Sequence, residues 1–364
     1  NLDMDFTARA GSLTVLPFDR GQPVVNFDGV PLRLESHAKG QLYKRLGSPY
    51  FKSDRSLPRD FMDAPGMPED VWTSIINRGS AGMGPKSRDW FVRGSNGPDG
   101  PSARALFTTA YRPFDGRELV NLIRPYHAKW APQYSATFRG CVAERDYTSI
   151  ALVMPGSLFT TSEIGQAYQV GIQISSGEIG QAGVTIAPFM LRTKCMNSFR
   201  VLVGGVRMRH IFSPATIEHD FVDIVKAMGT NLGITLEAMV LASQIEIPDL
   251  ALVMRGFCVD HGYGQETLDA AMTGHEGMLN LDGLLQGITH ASKFAPDAVT
   301  AARMQEDAVF ALFPAGKTGE EDKFSWDMTS LSRYELEDRV VAWRETGLKA
   351  RNLPASRQSA PDSD

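Results

Sequence analysis

The chain changes its hydrophobic period once, near Pro214, and that change restricts the fold more than any other feature. Upstream, apolar residues fall in short runs with the alternation of strands: Phe138 to Glu144, Ser149 to Met154, Ala167 to Ile174 and Gly183 to Arg192. Downstream, residues 215–245, 264–273, 280–292 and 296–313 carry helical spacing, as at Phe221, Ile224, Val225 and Met228. Strands gathered in one part and helices in another define an α+β protein. The expected architecture is a central antiparallel twisted β-sheet with helices packed on one side and a helical C-terminal half.

Five segments are expected. Residues 1–35 read as an N-terminal extension, with a short strand from Leu13 to Leu16 and turn residues at Gly21-Gln22-Pro23. Residues 36–102 read as a helical and loop segment. Ser36 caps a helix in which Leu42 and Leu46 lie one turn apart, Pro68 opens a helix ending at Asn77, and Asp89 to Val92 form a strand in a Gly-, Ser- and Pro-rich loop. Residues 103–213 are the β-rich core, including a strand over Ala105 to Thr109 and a helix over Gly116 to Tyr126. Residues 214–345 form the helical region, and the polar residues 346–364 a disordered tail. Glu163-Ile164-Gly165-Gln166-Ala167 recurs as Glu178-Ile179-Gly180-Gln181-Ala182. Two copies describe two similar turn-to-strand junctions and are too few for a solenoid.

The 364 residues, 43% of them hydrophobic, suffice for one large core or two smaller ones. No run of about eighteen apolar residues occurs, so no membrane span is expected. No basic-then-apolar leader is visible. Three cysteines, Cys141, Cys195 and Cys258, form no disulfide framework and suit a reducing compartment. The net charge of -5 argues against general adhesion to nucleic acid, so any such reading must rest on local pattern.

Catalytic signatures fail on inspection. Gly316-Lys317-Thr318 matches only the end of a phosphate-binding loop, because the position five residues before Gly316 holds Ala311. Cys258-x-x-His261 has ligand spacing but no second pair to complete a tetrahedron, and reads as a buried cysteine beside a surface histidine. Glu144, Asp146, Glu163 and Glu178 are carboxylates that a magnesium-dependent nuclease could use, although Glu178 reads best as a turn residue. No cofactor and no metal-ligand set is expected.

The informative segment runs from Phe199 to His210. Two β-rich runs flank Gly204-Gly205, a hairpin signal. A two-residue turn would place Val203 opposite Val206, Leu202 opposite Arg207, and Arg200 opposite Arg209. One face then carries Phe199, Val201, Val203, Val206, Met208 and His210; the other carries Arg200, Leu202, Arg207 and Arg209. Directly opposed like charges repel unless solvent, carboxylates or phosphates relieve them. Arg192 and Lys194 lie just upstream and extend the basic patch. Arginine forks suit phosphate oxygens. On local pattern alone, a solvated outer face with carboxylates supplied by another element explains the pattern slightly better. His210, on the apolar face, reads as a core or interface histidine.

Several segments in order resemble the phage and plasmid-like family called domain of unknown function 932. They are His37 to Leu42 with Arg45-Leu46-Gly47; Trp90 to Arg93; Arg104-Ala105-Leu106 to Tyr111-Arg112-Pro113-Phe114-Asp115; Gly171 to Ile174 with Glu178-Ile179-Gly180; Arg192 to Asn197, including Cys195, with Arg209-His210; and Gly287 to Ala291. The resemblance spans residues 36–313. Ser198 and Ser176-Gly177 depart from the family's usual residues. The resemblance implies a bacterial host cytoplasm, and a likeness of fold type to phage single-strand annealing proteins. The resulting expectation is a non-catalytic single-stranded DNA-binding or annealing protein that forms homo-oligomers and acts in recombination or replication. The alternatives are a counter-defence protein binding an acidic host partner, and a metal-dependent nuclease.

Overall fold

The computed structural model describes residues 5–9, 12–46, 89–143, 146–160, 167–180, 182–192, 200–275, 277–313, 315–317, 323–326 and 333–351, with positions 69, 73, 74, 76 and 77. The chain divides into two compact units, Asn1–Pro113 and Phe114–Asp364.

The first unit holds a sheet that the sequence reading did not anticipate. Its strands are β1 (Phe6–Ala8), β2 (Thr14–Asp19), β3 (Gln22–Phe27), β4 (Val30–Leu34), β5 (Trp90–Gly97) and β6 (Gly100–Thr108), in the order β1-β5-β6-β4-β3-β2. All neighbours are antiparallel except β4 and β6, which run parallel. The described residues between Phe6 and Leu34 therefore supply four of the sheet's six strands rather than an extension. The strand β6 belongs to this unit and not to the later β-rich core. Two-residue turns with positive φ, Arg20-Gly21 and Asp28-Gly29, build the β2–β3 and β3–β4 hairpins. Helix α1 (Ser36–Leu46) buries Ala38, Leu42 and Leu46, spaced one turn apart. The edge strand β2 is partly capped by side chains. Val15 N donates to Asn77 Oδ1 at 3.2 Å, and Phe18 N to Glu69 Oε1 at 2.9 Å. Positions 69 and 77 are helical, within the span expected to be a helix.

The second unit is built on an eight-stranded antiparallel sheet. Its strands are β7 (Thr137–Ala143), β8 (Tyr147–Thr160), β9 (Ala167–Gly177), β10 (Val184–Arg192), β11 (Arg200–Leu202), β12 (Val206–Met208), β13 (Ala315–Lys317) and β14 (Lys323–Trp326). The order is β13-β14-β12-β10-β9-β8-β7, with β11 also on β10. Gly316 and Lys317 thus lie in a strand rather than in a loop. The helices are α2 (Gly116–Tyr134), α3 (Pro214–Gln244), α4 (Leu250–Asp260), α5 (Gln265–Gly274), α6 (Leu281–Ala291), α7 (Ala298–Phe310) and α8 (Arg333–Arg351). The unit is α+β: α2 precedes the strands β7–β12, helices α3–α7 follow them, and β13, β14 and α8 come last. Register places Ile150, Leu152, Ile172, Ile174, Ile186 and Met190 on one face. They join Leu119, Ile123 and Trp130 of α2 and Phe221 of α3 in one apolar cluster.

Three helical expectations change. Helix α2 continues past Tyr126 through Pro125 and Pro132 to Tyr134. Helix α8 runs to Arg351, so residues 346–351 are helical, and 352–364 lie outside the described residues. Helix α3 has 31 residues and an 18-residue window of mean hydropathy 1.3, of which 22% is buried. By length and composition alone it meets the criterion for crossing a membrane. Counting unbroken apolar runs missed this, because Lys226 and Glu237 interrupt the sequence. Its Ile217, Phe221, Leu232 and Met239 nevertheless belong to the core.

Candidate nucleic-acid interface

The expected Gly204-Gly205 hairpin is absent. Strands β11 and β12 both pair antiparallel with β10. Arg200, Val201 and Leu202 lie opposite Leu191, Met190 and Phe189; Val206, Arg207 and Met208 lie opposite Ile186, Thr185 and Val184. Segment 200–208 is thus one strand with an interruption, in which Val203, Gly204 and Gly205 face Ala187 and Pro188; on its other side Val206, Arg207 and Met208 pair with β14. Three residues against two make a bulge. The glycines take φ of 72° and 131°, which favours glycine. Pro188 explains the site. It has no N–H to offer the neighbouring strand, and its carbonyl accepts from Val203 N at 2.7 Å. The extra residue also corrects the facing. Leu202 and Arg207 are five apart and would alternate to opposite faces, but the bulge returns Arg207 to the face of Thr185 and Phe189. Leu202 and Arg207, which a hairpin would also have put on one face, share it here by a different route.

That face is not an open arginine surface. Arg207 Nη1 lies 3.0 Å from Glu306 Oε2, with the arginine side chain 43% exposed and the glutamate 10%. Thr185 Oγ1 donates to Glu306 Oε1 at 3.4 Å. Burial pushes the Glu306 carboxyl above its ordinary range; Arg207 opposes this and Asp307 adds to it. Asp307 accepts a hydrogen bond from Tyr263 Oη at 2.5 Å. Arg209 is exposed. Lys194, Cys195, Asn197 and the Arg200 side chain lie outside the described residues.

Arg192 requires a correction. It ends β10, whose nine residues are all buried, and by register it shares a face with Tyr168 rather than with Arg207. Its Nη2 donates to Asp282 Oδ1 at 3.1 Å, to Asp282 Oδ2 at 3.0 Å and to Tyr168 Oη at 2.9 Å. Gln286 Nε2 donates to the same Asp282 at 3.0 Å. Burial disfavours the charged guanidinium, yet Asp282 and then Tyr168 more than offset it, holding its pKa above the ordinary value. Arg192 therefore ties β10 to the first turn of α6 and is withdrawn from any surface patch.

The positions taken from the family resemblance are mostly architectural. Arg104 is buried in β6. Tyr111 stacks on Phe107, with ring centroids 3.8 Å apart. Arg112 Nη1 donates to Thr109 O at 3.2 Å. Asp115 caps α2, its N–H donating to Glu118 Oε2 at 3.1 Å. Glu178 N donates to Asp146 O at 2.8 Å, and Gly180, at φ 78°, completes that turn. The buried His210 places Nε2 3.5 Å from Ser176 Oγ, which itself donates to Phe114 O at 2.6 Å.

No group of three histidine, cysteine or acidic side chains suited to a metal occurs among the described residues. Glu144 and Glu163 lie outside them. Cys258 is buried, and its thiol is pushed up to about 12 by desolvation. His261 uses Nδ1 on Phe257 O at 2.9 Å and stacks on the Phe257 ring. The sequence search missed Asp282, Glu306 and Tyr168. Asp282, Gln286 and Thr289 fall at helical spacing within an otherwise apolar helix, and that polar stripe was a usable signal. No family model, curated protein or solved structure matched the chain.

Proposed function

We propose that the chain is a non-catalytic single-stranded DNA-binding or annealing protein of recombination or replication, acting as a homo-oligomer in a bacterial cytoplasm. One observation carries this reading. Arg207 is anchored through Glu306 on one side, 43% of its side chain is open, and exposed Arg209 follows it just past the end of β12. An arginine already held in place loses little freedom on meeting a phosphate. The segments resembling the domain of unknown function 932 family support the same reading, in the absence of a matching family model.

The test is a gel shift with single- and double-stranded oligonucleotides across salt, with mass measured in parallel. Preferred single-strand binding by an oligomer, weakening steeply with salt, is expected. Arg209→Ala should flatten the salt slope by about 0.7. Arg207→Ala is a poor probe, because it leaves buried Glu306 without its cation. Absence of binding, or binding indifferent to salt, refutes the proposal. Stoichiometric capture of an acidic protein by a chain that ignores DNA would favour the counter-defence alternative.

A further inference from the structure

The outward side of α2 and the edge strand β7 form a surface that the motif search did not single out. Arg117, Val120, Arg124 and His127 recur at helical spacing, so they form one row on α2. From Arg117 to His127 the row is about 15 Å long. Arg117 and Arg124 are exposed, and Val120 is 37% exposed. The row ends on an aromatic pair. The His127 and Phe138 rings stack with centroids 4.6 Å apart at 25°, and Phe138 remains 50% exposed. Arg139, also exposed, follows in β7. Among the described residues no carboxylate pairs with Arg117, Arg124 or Arg139. The one acid on α2, Glu118, is engaged with the Asp115 N–H at the helix start.

We infer that the row Arg117–Arg124–His127–Phe138 is a binding path for single-stranded nucleic acid, with a base stacked on Phe138 and the backbone lying along the two arginines. This rests on the single-strand reading above and gives it a second site. Cations alone would serve any polyanion. A half-exposed ring, already stacked at one edge of the row, adds what a base requires, since stacking tolerates any base and duplex DNA hides its bases. An acidic peptide would use the arginines and be indifferent to the ring.

The experiment titrates the full chain into a labelled oligothymidine strand of about 20 nucleotides and follows anisotropy at several salt concentrations. Phe138→Ala should weaken binding about 5- to 150-fold, and Phe138→Tyr should restore it. The double variant Arg117→Gln/Arg124→Gln should flatten the salt slope by about 1.4, because each cation releases about 0.7 counterion from a single strand. All three positions are solvent-facing, and unchanged melting curves will certify the fold of each variant. If the wild type binds while these variants bind equally well and Arg209→Ala does not, this path is refuted and the wider reading stands. If only the double variant weakens, the surface takes polyanions without base stacking, and the inference is overturned. If the wild type ignores the strand, both fall.

Discussion

Replacing Arg192 tests whether this arginine is a structural tie rather than a surface cation. The Arg192–Asp282 pair is nearly excluded from water, with side chains 3% and 8% exposed. Unit charges about 4 Å apart attract by about 4 kcal/mol at an effective dielectric near 20. Removing one partner of a buried pair typically costs about 3–5 kcal/mol, because the other charge stays buried alone. Arg192→Met should therefore lower the melting temperature of the second unit by roughly 6–20 °C, at about 2–4 °C per kcal/mol for a domain of this size. Arg192→Met/Asp282→Leu should recover most of that loss, since an apolar pair of similar volume is often neutral. Urea unfolding of the wild type, both single variants and the double variant completes the cycle. Under the proposed single-strand binding, the folded fraction of Arg192→Met should bind oligonucleotides with wild-type affinity. A single-variant loss under about 1 kcal/mol, or losses that simply add in the double variant, would refute the buried-pair account.

Glu306 gives a pH signature. Its folded pKa lies above its ordinary value of 4.5, so the folded protein holds this proton longer than the unfolded chain does. Its contribution to stability should fall as pH rises from about 4.5 through the raised folded value. Thermal melts between pH 4 and 8 should show Glu306→Gln without that decline, and an identical slope in both proteins would count against it. Gly256 supplies a steric test. A Cβ there would sit 1.7 Å from the Trp343 carbonyl oxygen, where α4 meets α8. Gly256→Ala should cost about 2 kcal/mol or more despite the better helix former, whereas Gly229→Ala on α3, with nothing within 4 Å, should gain up to about 1 kcal/mol. Denaturant midpoints decide; equal shifts for the two variants would defeat the packing argument.

The division into strands and then helices was legible because hydrophobic period is a local property. What failed was partner choice. Gly204-Gly205 demands positive φ whether the chain reverses or bulges, and only Pro188, in β10's interior and well upstream of the bulge, selects between the two. The first sheet was missed although Asp28-Gly29 is a hairpin signal, because its strands β4 and β6 meet across some seventy residues of intervening chain. Arg192 was taken for surface because charge invites that reading. Its partner Asp282 lies ninety residues away. Arg207 was placed on the right face for the wrong turn, and Glu306, its carboxylate, comes from a helix the basic pattern does not mention. The α2 row was readable from spacing alone, since its cations recur on one side of a helix holding a single acid.

The bulge between β11 and β12 leaves room for a change of chain length. Val203, Gly204 and Gly205 occupy a space that two residues would fill, so the strand carries one residue of slack. A chain shortened by one glycine there could follow β10 as a regular ladder and still present Arg207 towards Glu306. The loss would fall on the accommodation of Pro188, not on which side chains face inward. Homologues that differ by one residue at this point are therefore compatible with the same two faces, whereas a length change between Val206 and Met208 would exchange the side chains directed at Glu306.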